Sequence, residues 1–420
     1  MRDRSDTPDE AVAGGGLIHR RSLLVAGALS ASGLGATLKA APARNSPASM
    51  LEPGAPLSGY GEPGPAAAAI QRIVPALPFP GTGSSRTPLH LLEGTITPNG
   101  LHFERHHNGI PDLDPATHEL LVHGLVRQPL SFRYEDLLRY PRESRILFLE
   151  CSGNSGAIAA DRPAQVSAGQ LNGLLSCAEW TGVRLSTLLD EAGLDPAARW
   201  VQAEGADAAG MTRSIPLSIC LDDAMIALFQ NGEPLRPQQG YPLRLLLPGI
   251  EGNASVKWLR RLKVIAAPAF SREETSRYSD LLADAHAEIF SLRMGVKSII
   301  LSPSFGLDLK GAGFHEIGGL AWSGRGRIRK VEVSADGGAS WAEAALTAPI
   351  LPKALTRFRM PWQWSGGPAI LMSRAIDETG AVQPRRADWI GKYGPGQGYH
   401  GNAIQSWRVD PLGKVSHVYA

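Results

Sequence analysis

Between residues 90 and 270 the apolar positions fall in short runs, HELLVHGLV, RILFLE, YPLRLLLPG and VKWLRRLKVIA, with the length and composition of strands. Two other stretches, YEDLLRY and VRLSTLLDEAGL, repeat their apolar residues at i, i+3 and i+4 and predict helices. Strands and helices do not alternate regularly, so the pattern predicts a mixed α+β domain over residues 87–284. After residue 285 the character changes. Ile328, Val331 and Val333 lead into a hairpin turn at Asp336-Gly337, followed by Ser340 and Trp341, and a second alternating run, AILMSRAID, ends in ETG. Short strands at this spacing predict an all-β, immunoglobulin-like sandwich over residues 285–420. Residues 44–86, rich in Pro, Gly, Ala and Ser without periodicity, predict an extended arm.

The first 43 residues follow another pattern: a polar start, then His19, Arg20 and Arg21, the run SLLVAGALSASGLGA, and AAPA ending at Ala43. Paired arginines ahead of a modest apolar segment predict a twin-arginine export signal and a periplasmic protein. A membrane anchor would need about 18 apolar residues. This run is shorter and broken by Ser and Gly, so no membrane span is expected in the mature chain. Twin-arginine export carries proteins already folded, which points to a cofactor acquired before departure.

Composition narrows the picture further. Lys plus Arg number 42 against 40 Asp plus Glu, which gives nucleic acid no electrostatic footing as a partner. Three cysteines exclude a disulfide scaffold; Cys177 and Cys220 either pair or are buried thiols. The motif CxxCH is absent, so no c-type haem is expected on this chain, and electrons from any redox chemistry would leave through another protein.

The stretch RILFLECSGNSG carries the most chemistry. An apolar strand delivers Cys151 into a turn of Ser152, Gly153 and Asn154, where a thiolate is a nucleophile, a metal ligand or simply buried. Its candidate partners lie in LHFERHHNGIPDLD, where Arg105, His106 and His107 adjoin. His102 and His106 have HxxxH spacing, but no acidic third ligand completes a zinc pattern. A Cys-His nucleophile pair lacks an orienting motif. A third reading is an anionic cofactor gripped by Arg, His and Lys, with the soft thiolate binding its metal. That reading also accounts for GNASVKWL, in which Gly252, Asn253, Ser255 and Lys257 present backbone N–H groups and an ammonium to a phosphate. Gly396, Gly398 and Gly401 match GxGxxG only formally, since no βαβ unit surrounds them. Trp258, Trp341 and Trp407 read as core.

Taken in order, FERHH, LECSGN, EWTGVRL, EGADA, NGEPLRPQQGYPLRLLLPG and VKWL resemble the sulfite oxidase family of molybdopterin enzymes. The later GLAWSGRGRIRKVEVSADGGASW resembles that family's immunoglobulin-like dimerisation domain. The resemblance implies molybdenum-molybdopterin as cofactor, with Cys151 as molybdenum ligand. It implies that Arg105, His106, His107, Asp207, Arg244, Ser255, Val256 and Lys257 contact the pterin and its phosphate. It makes Cys151, Arg105 and Tyr278 the catalytic set, and places Trp180, Gly156 and His400 at the substrate pocket. Sulfite oxidisers of the family carry arginines where this chain has Gly156 and His400, and a pterin-side histidine where it has Gln239. Losing two guanidiniums would cost a small dianion about 1.5 to 3 kcal/mol per charge-assisted contact. Within the family the chain is most similar to the sulfane-oxidising branch of bacterial thiosulfate oxidation. That implies oxygen-atom transfer from water to sulfane sulfur held on a cysteine of a carrier protein, a c-type cytochrome subunit as electron acceptor, and a homodimer through the C-terminal domain. The alternatives are a sulfite dehydrogenase and a periplasmic methionine sulfoxide reductase.

Overall fold

The computed structural model describes residues 11–18, 47–75, 81–395 and 398–420. The arginine pair, the apolar run after it and Gly396 lie outside the described residues. Among the described residues no helix is long and apolar enough to cross a membrane.

The first domain is built on two five-stranded sheets. One orders its strands Thr212–Pro216, Trp200–Gly205, Leu259–Ile265, Glu119–Gly124 and Leu130–Arg133, and its one parallel pair is Leu259–Ile265 with Glu119–Gly124. The other orders Glu233–Pro234, Met225–Gln230, Leu175–Arg184 and Arg142–Glu150, with Arg244–Leu246 also paired to Met225–Gln230. The predicted helix over VRLSTLLDEAGL forms as Leu185–Ala192. It starts late because Val183 is still bonded into the sheet opposite Ile226, and it buries Leu185, Leu188, Leu189 and Ala192. YEDLLRY yields only one turn, Tyr134–Leu137. Cys177 and Cys220 are free, buried thiols, and burial pushes Cys177 up to about 12.

The arm ends earlier than composition predicts. Gly83–Ser85 pairs with Glu104–His106, and Thr87 is fully buried, so residues from 83 onward belong to the cofactor domain.

The second domain is an antiparallel sandwich. One sheet contains Lys297–Ser302, Gly313–Trp322 and Thr356–Trp364; the other contains Ile328–Ser334, Ala369–Asp377, Ser406–Val409 and Val415–Val418. Between them lie Ile299, Leu320, Val331, Val333, Phe358, Leu371 and Trp407. The predicted hairpin closes at Asp336, whose carboxylate accepts from Ser340 N at 2.9 Å. Residues 11–18, expected to belong to the export signal alone, join the edge of the first of these sheets.

Candidate active site

Arg142–Glu150 is paired along its whole length with Leu175–Arg184, which fixes where the chain leaves the sheet. Cys151 then donates its N–H to Leu174 O at 3.0 Å, and Asn154 N returns to Cys151 O at 2.9 Å, closing the turn. Asn154 braces this turn from inside, accepting from Leu174 N at 3.1 Å and donating to Glu150 Oε1 at 2.9 Å. Ser155 stands at φ +63, a conformation that a non-glycine residue adopts only when its surroundings enforce it. Here its hydroxyl donates to Asn172 and accepts from Lys297, both at 2.5 Å.

Glu150, the residue before the candidate ligand, is buried and gripped by the other domain. Lys297 Nζ lies 3.3 Å from its Oε1, and Trp322 Nε1 donates to its Oε2 at 2.6 Å. The Cys151 turn is thus clamped between the two domains.

In front of Cys151 opens a cavity. Its walls include Arg105 from the strand Glu104–His106 of the small sheet, His107 just after it, Asp207, Arg244, the turn Gly252–Trp258, and Tyr278. Arg244 is fully sequestered, and its partners are carbonyl oxygens of Gln239 at 3.0 Å and Ser255 at 2.7 Å, not carboxylates. Burial lowers it to about 9. Lys257 Nζ likewise donates to Gln238 O at 3.0 Å and to His106 Nδ1 at 2.7 Å, and burial beside Arg244 holds it well below the usual lysine range. Neither Arg244 nor Lys257 is ion-paired with a carboxylate, and with Arg105 they outnumber Asp207 in the cavity wall, which suits an anion there.

His107 lines the cavity and is lowered to about 4, mainly by burial and then by Arg105. Its Nε2 meets the Tyr278 hydroxyl at 3.2 Å. Burial and the nearby Cys151 sulfur push the Tyr278 phenol upward, so it keeps its proton. Arg213, fully buried, lies with its guanidinium 5.1 Å from the Tyr278 ring centre and 3.0 Å from Glu251.

These residues fit a phosphorylated, anionic cofactor that brings a soft metal to Cys151. The cations supply the charge such a group needs, and the buried Asn253 Oδ1 has no hydrogen-bond partner. Among the described residues no three His, Cys, Asp or Glu side chains group to hold a metal.

Of the expected contacts, Cys151, Arg105, His107, Asp207, Arg244, Ser255, Val256, Lys257 and Tyr278 all line this cavity. Four other expected residues, His106, Trp180, Gly156 and His400, do not line this cavity. His106 does not reach in, because Lys257 and Glu104 Oε2 (3.1 Å) occupy its two ring nitrogens; it steadies Lys257 instead. Trp180 is fully buried behind the wall, its Nε1 donating to Leu147 O at 3.3 Å and its ring beneath Arg244. Gly156 opens no room: a Cβ there would stand 2.9 Å from Gly398 O. His400 donates its backbone N–H to Ser152 O at 2.9 Å, but its ring turns towards Ser291 (3.2 Å), Glu251 (3.6 Å) and Asp280 (3.7 Å). Those carboxylates raise it above the ordinary histidine value despite its burial.

Sequence reasoning missed three features. Trp258, read as core, is a cavity wall with Lys257 Nζ 4.2 Å from its ring centre. Arg213 and Glu251 back Tyr278 from segments with no motif of their own, and the Glu150–Lys297 clamp joins residues 147 apart.

Comparison with known proteins agrees with this geometry. Residues 107–272 match the model of the oxidoreductase molybdopterin binding domain, and residues 289–405 that of the Mo-co oxidoreductase dimerisation domain. Mouse mitochondrial sulfite oxidase is 32% identical over 319 residues, covering 70% of this chain and 58% of that protein. Barley NAD(P)H nitrate reductase is 30% identical over 370 residues, covering 76% of this chain and 40% of the relative. The chain thus spans about half the length of the curated relatives it matches. The crystal structure of the sulfane dehydrogenase SoxCD from Paracoccus pantotrophus superposes with a TM-score of 0.85 at 44% identity, covering 88% of this chain and 96% of that one. With both domain models matched in order and a thiol set before a cation-lined cavity, the chain belongs to the sulfite oxidase family of molybdopterin oxidoreductases.

Proposed function

We propose that this chain is the molybdenum-bearing subunit of a periplasmic sulfane dehydrogenase. It oxidises sulfane sulfur held on a cysteine of a carrier protein and passes the electrons to a c-type cytochrome subunit. When bound, the molybdenum cofactor supplies two-electron oxygen-atom transfer, with water the source of the oxygen. Cys151 holds and tunes the metal through sulfur. Arg244 and Lys257 would neutralise the phosphate. Arg105 and the protonated Tyr278 hydroxyl would donate towards charge that develops on the reacting oxygen, and being fixed beforehand they need little reorganisation.

The observation that carries the sulfane assignment is electrostatic. Position 156 is a glycine capped by backbone, and the ring at position 400 faces two carboxylates. Neither offers the cavity the always-charged fork that grips a free sulfite dianion. A carrier-bound sulfur chain has less charge to satisfy. The likeness to the SoxCD structure supports the same reading.

The test offers the purified, cofactor-loaded protein three substrates with oxidised cytochrome c: free sulfite, thiosulfate, and a carrier protein bearing a cysteine persulfide. Turnover is expected on the carrier and should be weak on sulfite. Fast oxidation of sulfite with none on the carrier overturns the assignment.

A further inference from the structure

Residues 11–18, just ahead of the arginine pair at 20 and 21, are folded onto the sandwich. Ala11–Ala13 pairs with Leu17–Ile18, and Leu17 pairs in turn with Trp362 at the edge of Thr356–Trp364. Ala345–Thr347 covers that edge as far as Arg359, and Leu17 takes it up next. The segment thereby closes a stretch of strand edge that would otherwise stand open to pairing. Leu17 is fully buried in the sandwich core, and Ala13 packs against the same cluster. Trp362 Nε1 donates to Gly15 O at 2.6 Å, and Gly14 N donates to Ser340 Oγ at 2.6 Å.

The three glycines fit this slot closely. Gly15 and Gly16 stand at φ +72 and +92, where side chains are disfavoured. A Cβ on Gly15 would lie 2.8 Å from the Ala335 carbonyl, and one on Gly16 would collide with the carbonyl of Gln363. None of the eight residues is charged. The segment is matched to a surface supplied by the second domain, which is synthesised after the segment and after the first domain.

We propose that residues 11–18 dock on the sandwich in the precursor and so fasten the export signal to a folded second domain, with release of this strand accompanying entry into export. The proposal rests on reading Arg20 and Arg21 as an export signal. The described docked residues reach Ile18, two residues before Arg20, so the second domain holds the chain just ahead of the pair. A precursor whose sandwich has not folded has no such hold on its signal.

Hydrogen exchange on the full chain, compared with the same protein begun at residue 44, tests the docking. Backbone amides of residues 335–340 and 360–364 should exchange about tenfold or more slowly in the full chain. Gly16→Val and, separately, Trp362→Phe should abolish that difference and shorten the lifetime of the precursor in a pulse-chase. Trp362→Phe leaves the signal untouched, which separates lost docking from a damaged signal. Equal exchange in the two proteins overturns the docking. A variant that loses protection yet keeps the precursor lifetime overturns its link to export. Normal export of the Arg20→Lys, Arg21→Lys double variant sinks the export reading instead, while the exchange pattern stands.

Discussion

Lys257 and His102 show what single buried groups do near this cavity. Burial and Arg244 hold Lys257 well below the usual lysine range, and its partners are carbonyls and an imidazole. Such a cation is poorly placed until an anion arrives. Lys257→Met should therefore leave the cofactor-free fold at least as stable, while cofactor affinity falls by about 10- to 100-fold, at about 1.5 to 3 kcal/mol for a charge-assisted contact. Molybdenum and released pterin per chain measure this, and unchanged occupancy would exclude the phosphate role. His102 is fully buried against Phe103 and Trp180, and burial lowers it to about 3. Unfolded, it titrates near 6.5. Between those values the unfolded chain binds the extra proton, so His102 makes the fold lose stability as pH falls from 6.5 towards 3, by about 1.4 kcal/mol per unit. Denaturant titrations should show that slope reduced by one proton's worth in His102→Phe; an identical slope would mean the imidazole is protonated in the fold.

The elements that carry the site were legible in the sequence to different degrees. RILFLE ending at Cys151 and the hairpin at Asp336-Gly337 announce themselves through local period and turn chemistry. The cation cradle was legible too, because Arg105, Lys257 and the GNAS turn sit in compact motifs. His400 and Trp180 were misjudged because a position along the chain does not tell which way a ring turns. His400 faces Glu251 and Asp280, and no short-range pattern connects those three. The clamp on Glu150 was invisible for the same reason. Burial holds Lys297 below the ordinary lysine range even with Glu150 as partner, so the pair adds little to stability as a unit. Breaking it is another matter. Lys297→Met should destabilise by about 3 to 5 kcal/mol, since Glu150 is then a buried anion with no counter-charge. Lys297→Met with Glu150→Gln should recover much of that loss. Thermal unfolding of the two variants decides; equal losses would mean that packing around Lys297 matters and its charge does not.

At the scale of the whole molecule, two domains of different construction share one packed core, in which Phe148, Leu171 and Cys177 of the first lie with Ile299, Leu320 and Trp407 of the second. The matched dimerisation domain leads us to expect light scattering of the loaded protein to give twice the chain mass. A single-chain mass at micromolar concentration would remove the homodimer from the proposed function. The Glu150 clamp has a further consequence for anyone dividing this protein into pieces. A fragment ending near residue 284 would retain every group that lines the cavity, yet it would lack Lys297 and Trp322, two of the three side chains that hold the residue next to the thiol. Such a fragment should come out of cells without metal. Inherited or engineered lesions deep in the sandwich should likewise present as failures of metallation, far from any residue that touches the cofactor.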